Sequence, residues 1–288
     1  MTNISYINGE YCYYENAKTH INDRGYHFGD AVYEVIVFNE KSYFDYDEHI
    51  NRLFRSLQSI DITLLYSSKS LKIIIKNLIK INKAKSGSIY LQVSRGVANR
   101  NHSYNNLNLK PVLVIIVSEK KNNLVDNING VKTITCQDNR WSRPDIKTTQ
   151  LLPNILAKTK ADKNGAYEAI FIDNKDFVTE GSSSNIWIIN KDNEIITRDL
   201  DGKILSGITR KTISIFAKNN NINVIERKFS KTELMQAKEV FLTSASSFVT
   251  PIIEIDGHVI NDGLVGNISN QLRHLYLNNI GNFNHKYA

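Results

Sequence analysis

An α+β fold in two domains is predicted for this chain of 288 residues. Short apolar runs of β type alternate with segments whose apolar residues recur at helical spacing. The patterned runs before Ser118 form a smaller set than those after it. Between the two sets, Ser118–Asn123 is polar, charged and without periodicity, as a domain boundary should be. The expected organisation is a small N-terminal α/β domain at 1–118, a linker at 119–124 and a larger C-terminal domain at 125–288.

Taken in order, Ile7-Asn8-Gly9 is a tight-turn signal with Tyr11, Tyr13 and Tyr14 entering a second strand. Further strands are expected at Ala31–Phe38 and Ser42–Tyr46, around Asn39-Glu40-Lys41. Ile50, Leu53, Phe54 and Leu57 share one helical face, so a helix is expected from Asp47 to Ser59 with Asp47 as its cap. In Lys69–Lys85, Leu71, Ile74, Ile75, Leu78 and Ile79 fall at helical spacing, which leaves Lys72, Lys76 and Lys80 on the solvated face. Strands at Ser88–Ser94 and Val112–Val117 complete the first domain. In the second, strands near 131–136, 167–172, 184–189, 238–243 and 251–255 alternate with helices near 150–163, 208–219, 231–236 and 263–279.

A formal charge of +7 and a pI of about 9.1 raise the question of nucleic acid. The lysines are scattered, and their densest stretch is the helix face just described, so no nucleic-acid partner is expected. No apolar run reaches the roughly 18 residues that a membrane span requires, and the opening residues lack a secretory pattern, so a cytoplasmic protein without a membrane partner is expected. Cys12 and Cys136 have neither disulfide-framework nor zinc spacing, and no metal is expected.

Five segments could carry chemistry. Lys147, at the end of an extended stretch just before a helix, is either a surface lysine or an amine held for Schiff-base chemistry. Thr179–Asn185 reads as a polar loop opening onto Ile186–Ile189; it is either an ordinary turn or a place where Glu180 meets a protonated ring nitrogen. Ser206–Arg210 begins a helix whose first N–H groups would suit a phosphate, and Thr243–Ser247 could add hydroxyls to it. Arg95–His102 follows a strand as a cationic loop, either solvated or able to fork a carboxylate.

In this order the pieces resemble the fold-type IV pyridoxal-phosphate-dependent aminotransferases, which include D-amino-acid and branched-chain aminotransferases and aminodeoxychorismate lyases. The likeness runs through Asp23–Glu34, Glu48–Leu53, Asp145–Lys147, Thr179–Asn185 and Gly207–Arg210. It implies a two-domain homodimer whose C-terminal domain binds pyridoxal 5'-phosphate, with amino acids and 2-oxo acids as substrates. It makes Lys147 the lysine that joins the cofactor and shuttles the α-proton, and Glu180 the partner of the ring nitrogen. Arg52, the backbone of Ile208 and Thr209, and Ser244, Ala245 and Ser246 would hold the phosphate, with Leu205 against the ring. Ala245 stands where relatives carry a threonine, which implies one lost hydrogen bond worth about 0.5–1.5 kcal/mol.

Within the family, Tyr33, Arg100 and His102 match the positions from which the D-amino-acid subgroup takes the substrate carboxylate, the last two from the neighbouring subunit, and Tyr90 matches a site-lining tyrosine. The resemblance therefore implies ping-pong transamination between a D-alanine-like amino acid and 2-oxoglutarate or pyruvate. L-branched-chain transamination and aminodeoxychorismate lyase activity are the alternatives. Arg140 also matches a family position, with no role assigned to it.

Overall fold

The computed structural model describes residues 4–40, 42–105, 108–120 and 129–279, and the chain divides into two compact units. Most of the expected linker, 121–124, lies outside the described residues, as do Asn106 and Leu107 of the cationic loop's continuation.

In the first unit, β1 (Ile4–Ile7) and β2 (Glu10–Tyr13) form a hairpin through Asn8 and Gly9, both at positive φ, as a two-residue turn that follows the sheet's twist requires. Tyr14 lies beyond β2, in a short 3-10 turn. A short helix not foreseen from sequence, α1 (Arg24–Phe28), is capped by the Asp23 carboxylate and closed by Gly29 at φ 63°. β3 (Ala31–Phe38) follows. Ser42–Tyr46 is not a strand: Tyr43 makes one isolated bridge to Phe38, Asp45 turns left-handed, and buried Tyr46 opens α2 (Tyr46–Gln58). Asp47 consequently lies inside the first turn rather than at the cap, where it still faces the positive end of the helix dipole.

Ser67 caps α3 (Ser68–Asn82), and Lys72, Lys76 and Lys80 are exposed along it. β4 (Gly87–Ser94) and β5 (Val112–Glu119) complete a sheet of order β2-β1-β5-β4-β3. One face of that sheet presents Val32, Ile36, Ile89, Leu91, Val93, Leu113 and Ile115 to Ile50, Leu53 and Leu57 of α2 and Leu71, Ile75 and Leu78 of α3. Burial of these side chains, each contributing about 1.5–3 kcal/mol, is what holds the helices on the sheet.

Ile146–Gln150 clusters with this first unit, although its sequence position falls within the expected second domain. The reason is backbone pairing along the free edge of β3: Tyr33 N–H donates to Lys147 O (3.0 Å) and Thr149 N–H to Ala31 O (3.0 Å). Alternation in sequence cannot reveal a segment that crosses over to pair in this way.

The second unit contains β6 (Val131–Gln137), α4 (Leu152–Lys163), β7 (Glu168–Ile172), β8 (Val178–Gly181), β9 (Asn185–Ile189) and β10 (Ile195–Thr197). It continues with α5 (Ile208–Asn219), β11 (Val224–Glu226), α6 (Lys231–Met235), β12 (Glu239–Ser244), β13 (Phe248–Ile255), β14 (His258–Val259) and α7 (Asn267–Asn279). The sheet order is β11-β10-β9-β12-β13-β6-β7-β8, with β14 on β13. Among the described residues four strands escaped the sequence reading, β8, β10, β11 and β14, because runs of two to four residues are too short to show a period. Helix α7 begins later than its sequence pattern, at a buried Glu239 carboxylate that accepts the N–H groups of Ile268 and Ser269. Thr179–Asn185 is largely strand rather than loop: only Ser182–Ser184 link β8 to β9.

Candidate active site

In the second unit, the site grows from the consecutive strands β8 and β9, joined by the turn Ser182–Ser184. Glu180 lies near the end of β8 and is buried, as is Asn185 at the start of β9. The Glu180 carboxylate accepts Asn185 Nδ2–H at 3.2 Å and the backbone N–H of Leu205 at 3.0 Å, and forms a short ion pair with Arg140 Nη1. Arg140 is anchored by Asp138, donating from Nε at 2.9 Å and from Nη2 at 2.8 Å, and Thr179 Oγ1 donates to the same Asp138 at 2.7 Å. Burial pushes the Glu180 carboxyl above its usual range, opposed by the Arg140 charge and by the Leu205 N–H. Asp138 goes the other way: burial is outweighed by the hydrogen bonds and charge of Arg140, which hold it below the usual range. Sequence reasoning left Arg140 without a role and passed over Asp138 entirely. Glu180 and Arg140 are 40 residues apart in sequence, and no local pattern announces the pair.

The linking turn is organised by a second buried carboxylate. Glu168, 2% exposed, accepts the hydroxyls of Ser182, Ser183 and Ser184 and the N–H of Ser183. This collar gives the small residues a structural task and fixes the path between Glu180 and Asn185.

Asn185 also reaches the start of α5, donating to Leu205 O at 3.0 Å. Gly207 occupies the cap position of α5 and supplies no side-chain cap bond; a Cβ there would lie 1.9 Å from Asn185 Oδ1. Helix N–H groups without a side-chain cap, next to a glycine in close contact, suit an anion. Ile208 and Thr209, the first helical residues, are buried. The strand pairing Thr243–Asn185 brings the end of β12 alongside. There Ser244 Oγ is paired with Ser247 Oγ (2.7 Å) across a turn that includes Ala245 and the exposed Ser246. Glu180, Leu205, Ile208, Thr209 and the turn at 244–246 are thus grouped by β8, β9, β12 and α5 of one unit.

In the first unit, Lys147 Nζ donates to Tyr33 Oη at 3.3 Å and lies 4.3 Å from the centre of that ring. Tyr33 stacks on Tyr90 with ring centres 5.8 Å apart, and burial, with Tyr33 beside it, pushes the Tyr90 phenol up to about 12. Both rings stand on the sheet face opposite the helices, because β3 and β4 alternate in register Val35–Tyr90 and Tyr33–Gln92. Arg52 faces the helix-covered side. Its Nε and Nη2 fork the fully buried Glu34 at 2.6 and 2.8 Å, and His49 Nδ1 lies 2.8 Å from the same carboxylate. Burial of Glu34 is outweighed by the Arg52 charge and by these bonds, which hold the carboxyl far below its ordinary range. Arg100 and His102 are exposed and gather on one ring: the Arg100 guanidinium lies 5.2 Å and the His102 ring 5.5 Å from the centre of Phe28.

Comparison with known proteins gives the family. Residues 31–255 match the family described as amino-transferase class IV. The chain is 40% identical over 273 residues to the D-alanine aminotransferase of Staphylococcus haemolyticus, covering 95% of this chain and 96% of that one. It is 43% identical over 268 residues to the D-alanine aminotransferase of Listeria monocytogenes, covering 92% of each. Among solved structures, the branched-chain amino acid aminotransferase of the archaeon Thermoproteus uzoniensis with norvaline superposes with a TM-score of 0.85 at 25% identity, covering 99% of this chain and 96% of that one. The chain belongs to the class IV amino-transferase family, with its fold-type IV α+β architecture.

Proposed function

We propose that this chain is a D-amino-acid aminotransferase that uses pyridoxal 5'-phosphate to move an amino group between a D-alanine-like donor and 2-oxoglutarate or pyruvate. The observation that carries the reading is 40–43% identity, over more than nine-tenths of both chains, to proteins named D-alanine aminotransferases. The residues of the second unit fit the cofactor: a buried carboxylate could serve as the counter-charge of a ring nitrogen, and a glycine-led helix start with a hydroxyl-bearing turn beside it is suited to a phosphate.

When bound, pyridoxal phosphate supplies an electrophilic carbon for the amine and a ring that takes up the electrons released at Cα. Lys147 would hold the cofactor through its Nζ and then carry the α-proton on the same atom, with Tyr33 Oη orienting it. Glu180 would pair with the ring nitrogen and keep it protonated. Its carboxyl, which burial inclines to hold a proton, is ionised most readily when cations face it, and Arg140 is already one of them. The N–H groups of Ile208 and Thr209, the turn at Ser244, Ala245 and Ser246, and Arg52 would take the phosphate, and Leu205 would pack against the ring. Tyr33, Tyr90, Arg100 and His102 form the substrate side. A carboxylate clamped by Tyr33, Arg100 and His102 fixes which enantiomer turns its Cα–H toward Lys147.

The working form is a homodimer. Leu152, Ile155 and Leu156 make an exposed stripe on one face of α4, at 66%, 57% and 62% exposure, and contiguous apolar surface of this kind marks an interface. A second reading, L-branched-chain transamination, is favoured by the structural likeness to the Thermoproteus uzoniensis enzyme. The test is the absorption spectrum of the purified protein with pyridoxal phosphate, before and after D-alanine or L-valine in separate cuvettes without an acceptor. Bleaching with D-alanine alone is expected. Bleaching with L-valine alone overturns the stereochemical assignment, and a protein that stays colourless overturns the cofactor.

A further inference from the structure

We infer that Arg24 is the positioning residue that presents Arg100 and His102 to the substrate carboxylate; the inference rests on the carboxylate assignment above. Arg24 is 3% exposed and every hydrogen bond of its guanidinium has a distinct target. Nε donates to Asp30 Oδ2 at 2.8 Å, Nη1 to the carbonyl of Asn101 at 2.6 Å and Nη2 to the carbonyl of His102 at 3.0 Å. One planar fork therefore grips two consecutive carbonyls of the loop that bears Arg100 and His102.

The grip is itself held. Asp30 Oδ2 also accepts Arg95 Nε at 2.8 Å, and Arg95 Nη2 continues to Asp30 Oδ1 at 3.0 Å and to Ile60 O at 2.5 Å. Tyr104, at the far end of the loop, lies with its ring centre 3.6 Å from the Arg95 guanidinium carbon and donates its hydroxyl to Asp61 at 3.0 Å. Phe28 is the shelf: Arg24 packs over its ring at 4.8 Å, and Arg100 and His102 share the same ring. An exposed loop without strand or helix has few ways to hold two side chains in one orientation. Here a buried arginine supplies it through the backbone, so Arg100 and His102 turn toward the ligand as a preorganised pair.

Lysine at position 24 keeps a cation beside Asp30 but replaces the fork with a single ammonium, which cannot keep the parallel geometry on both carbonyls. The holoenzymes to compare are wild type, Arg24→Lys, the double variant Arg100→Ala/His102→Ala, and the triple variant. The apparent dissociation constant and the limiting rate of the first half-reaction are measured with D-alanine by stopped-flow absorbance. Amide hydrogen exchange is followed at residues 100–105.

Arg24→Lys is expected to accelerate loop exchange and to weaken D-alanine on the order of tenfold, the equivalent of one hydrogen bond to a charged group, with the limiting rate and cofactor spectrum little changed. In the background lacking Arg100 and His102 the same substitution is expected to add nothing, because a residue that acts through others is not additive with them. If it weakens D-alanine equally in both backgrounds, or not at all in the wild type, the positioning role is overturned. Normal D-alanine affinity in the Arg100→Ala/His102→Ala variant overturns the carboxylate assignment, and the inference with it.

Discussion

Replacing Arg140 by methionine removes the cation beside Glu180 while keeping most of the side-chain volume. The carboxylate would retain Asn185 Nδ2–H and Leu205 N–H as donors but stay buried. Burial already inclines it toward the protonated form, and Arg140 is the main opposing charge. Without it the carboxyl moves further up, and the protonated form gains at any given pH. The cost has a ceiling: protonating a carboxyl of ordinary value 4.5 at pH 7 takes about 3.4 kcal/mol at about 1.36 kcal/mol per pH unit. The wild-type group already sits above its ordinary value, so the electrostatic deficit of the variant falls below that ceiling.

The sign follows from linkage. A carboxyl raised in the folded state contributes stability that is present at low pH and lost as pH rises through the folded value. The Arg140→Met deficit should therefore widen from pH 5 to pH 8, by up to about 1.4 kcal/mol per unit. Asp138 is held low by Arg140 in the wild type and loses that support too, so burial pushes it up in the variant and its contribution to the deficit has the same sign. Urea denaturation of the cofactor-free proteins at four pH values reads the deficit directly. With pyridoxal phosphate bound, the half-reaction with D-alanine should be slow at neutral pH and recover as rising pH ionises Glu180. A deficit that stays flat from pH 5 to pH 8 would refute the assignment of Arg140 as the counter-charge of Glu180.

Glu34→Gln should cost about 3–5 kcal/mol at pH 7, as for one partner removed from a buried pair. Because Glu34 is held low in the folded state, its contribution is present above its ordinary value of 4.5 and disappears as pH falls below it, so denaturation midpoints of variant and wild type should converge in acid. Gly207→Ala puts a Cβ 1.9 Å from Asn185 Oδ1. Displacing Asn185 forfeits two hydrogen bonds, about 2 kcal/mol, and titration of apoprotein with pyridoxal phosphate should show affinity weakened tenfold or more. Leu156→Glu places a charge within the apolar stripe of α4 and should shift the protein toward monomer in sedimentation velocity; unchanged mass would remove that stripe from the interface.

Much of this protein is legible in its sequence because periodicity and turn chemistry are local. Asn8-Gly9 can take positive φ, β3 is rich in β-branched and aromatic residues, and the apolar faces of α2 and α3 repeat every third or fourth residue. Lys147, Glu180 and the start of α5 were legible as candidates for the same local reason: a lysine before a helix, a carboxylate among small polar residues, and a glycine where a helix begins. Chemistry narrows at such points to few residue types.

What the tertiary structure decided is which charges meet. Lys147 pairs along β3, and Tyr33, 114 residues away, reaches its amine. Glu34 turns inward to Arg52 and His49. Glu168 collects three serines, Asp138 aims Arg140 at Glu180, and Arg24 grips the loop at 101–102 across 77 and 78 residues. Each of these buried or half-buried charges is stable only beside its partner, and the partner's distance in sequence is set by strand order and chain crossings, which leave no repeat in the order of residues.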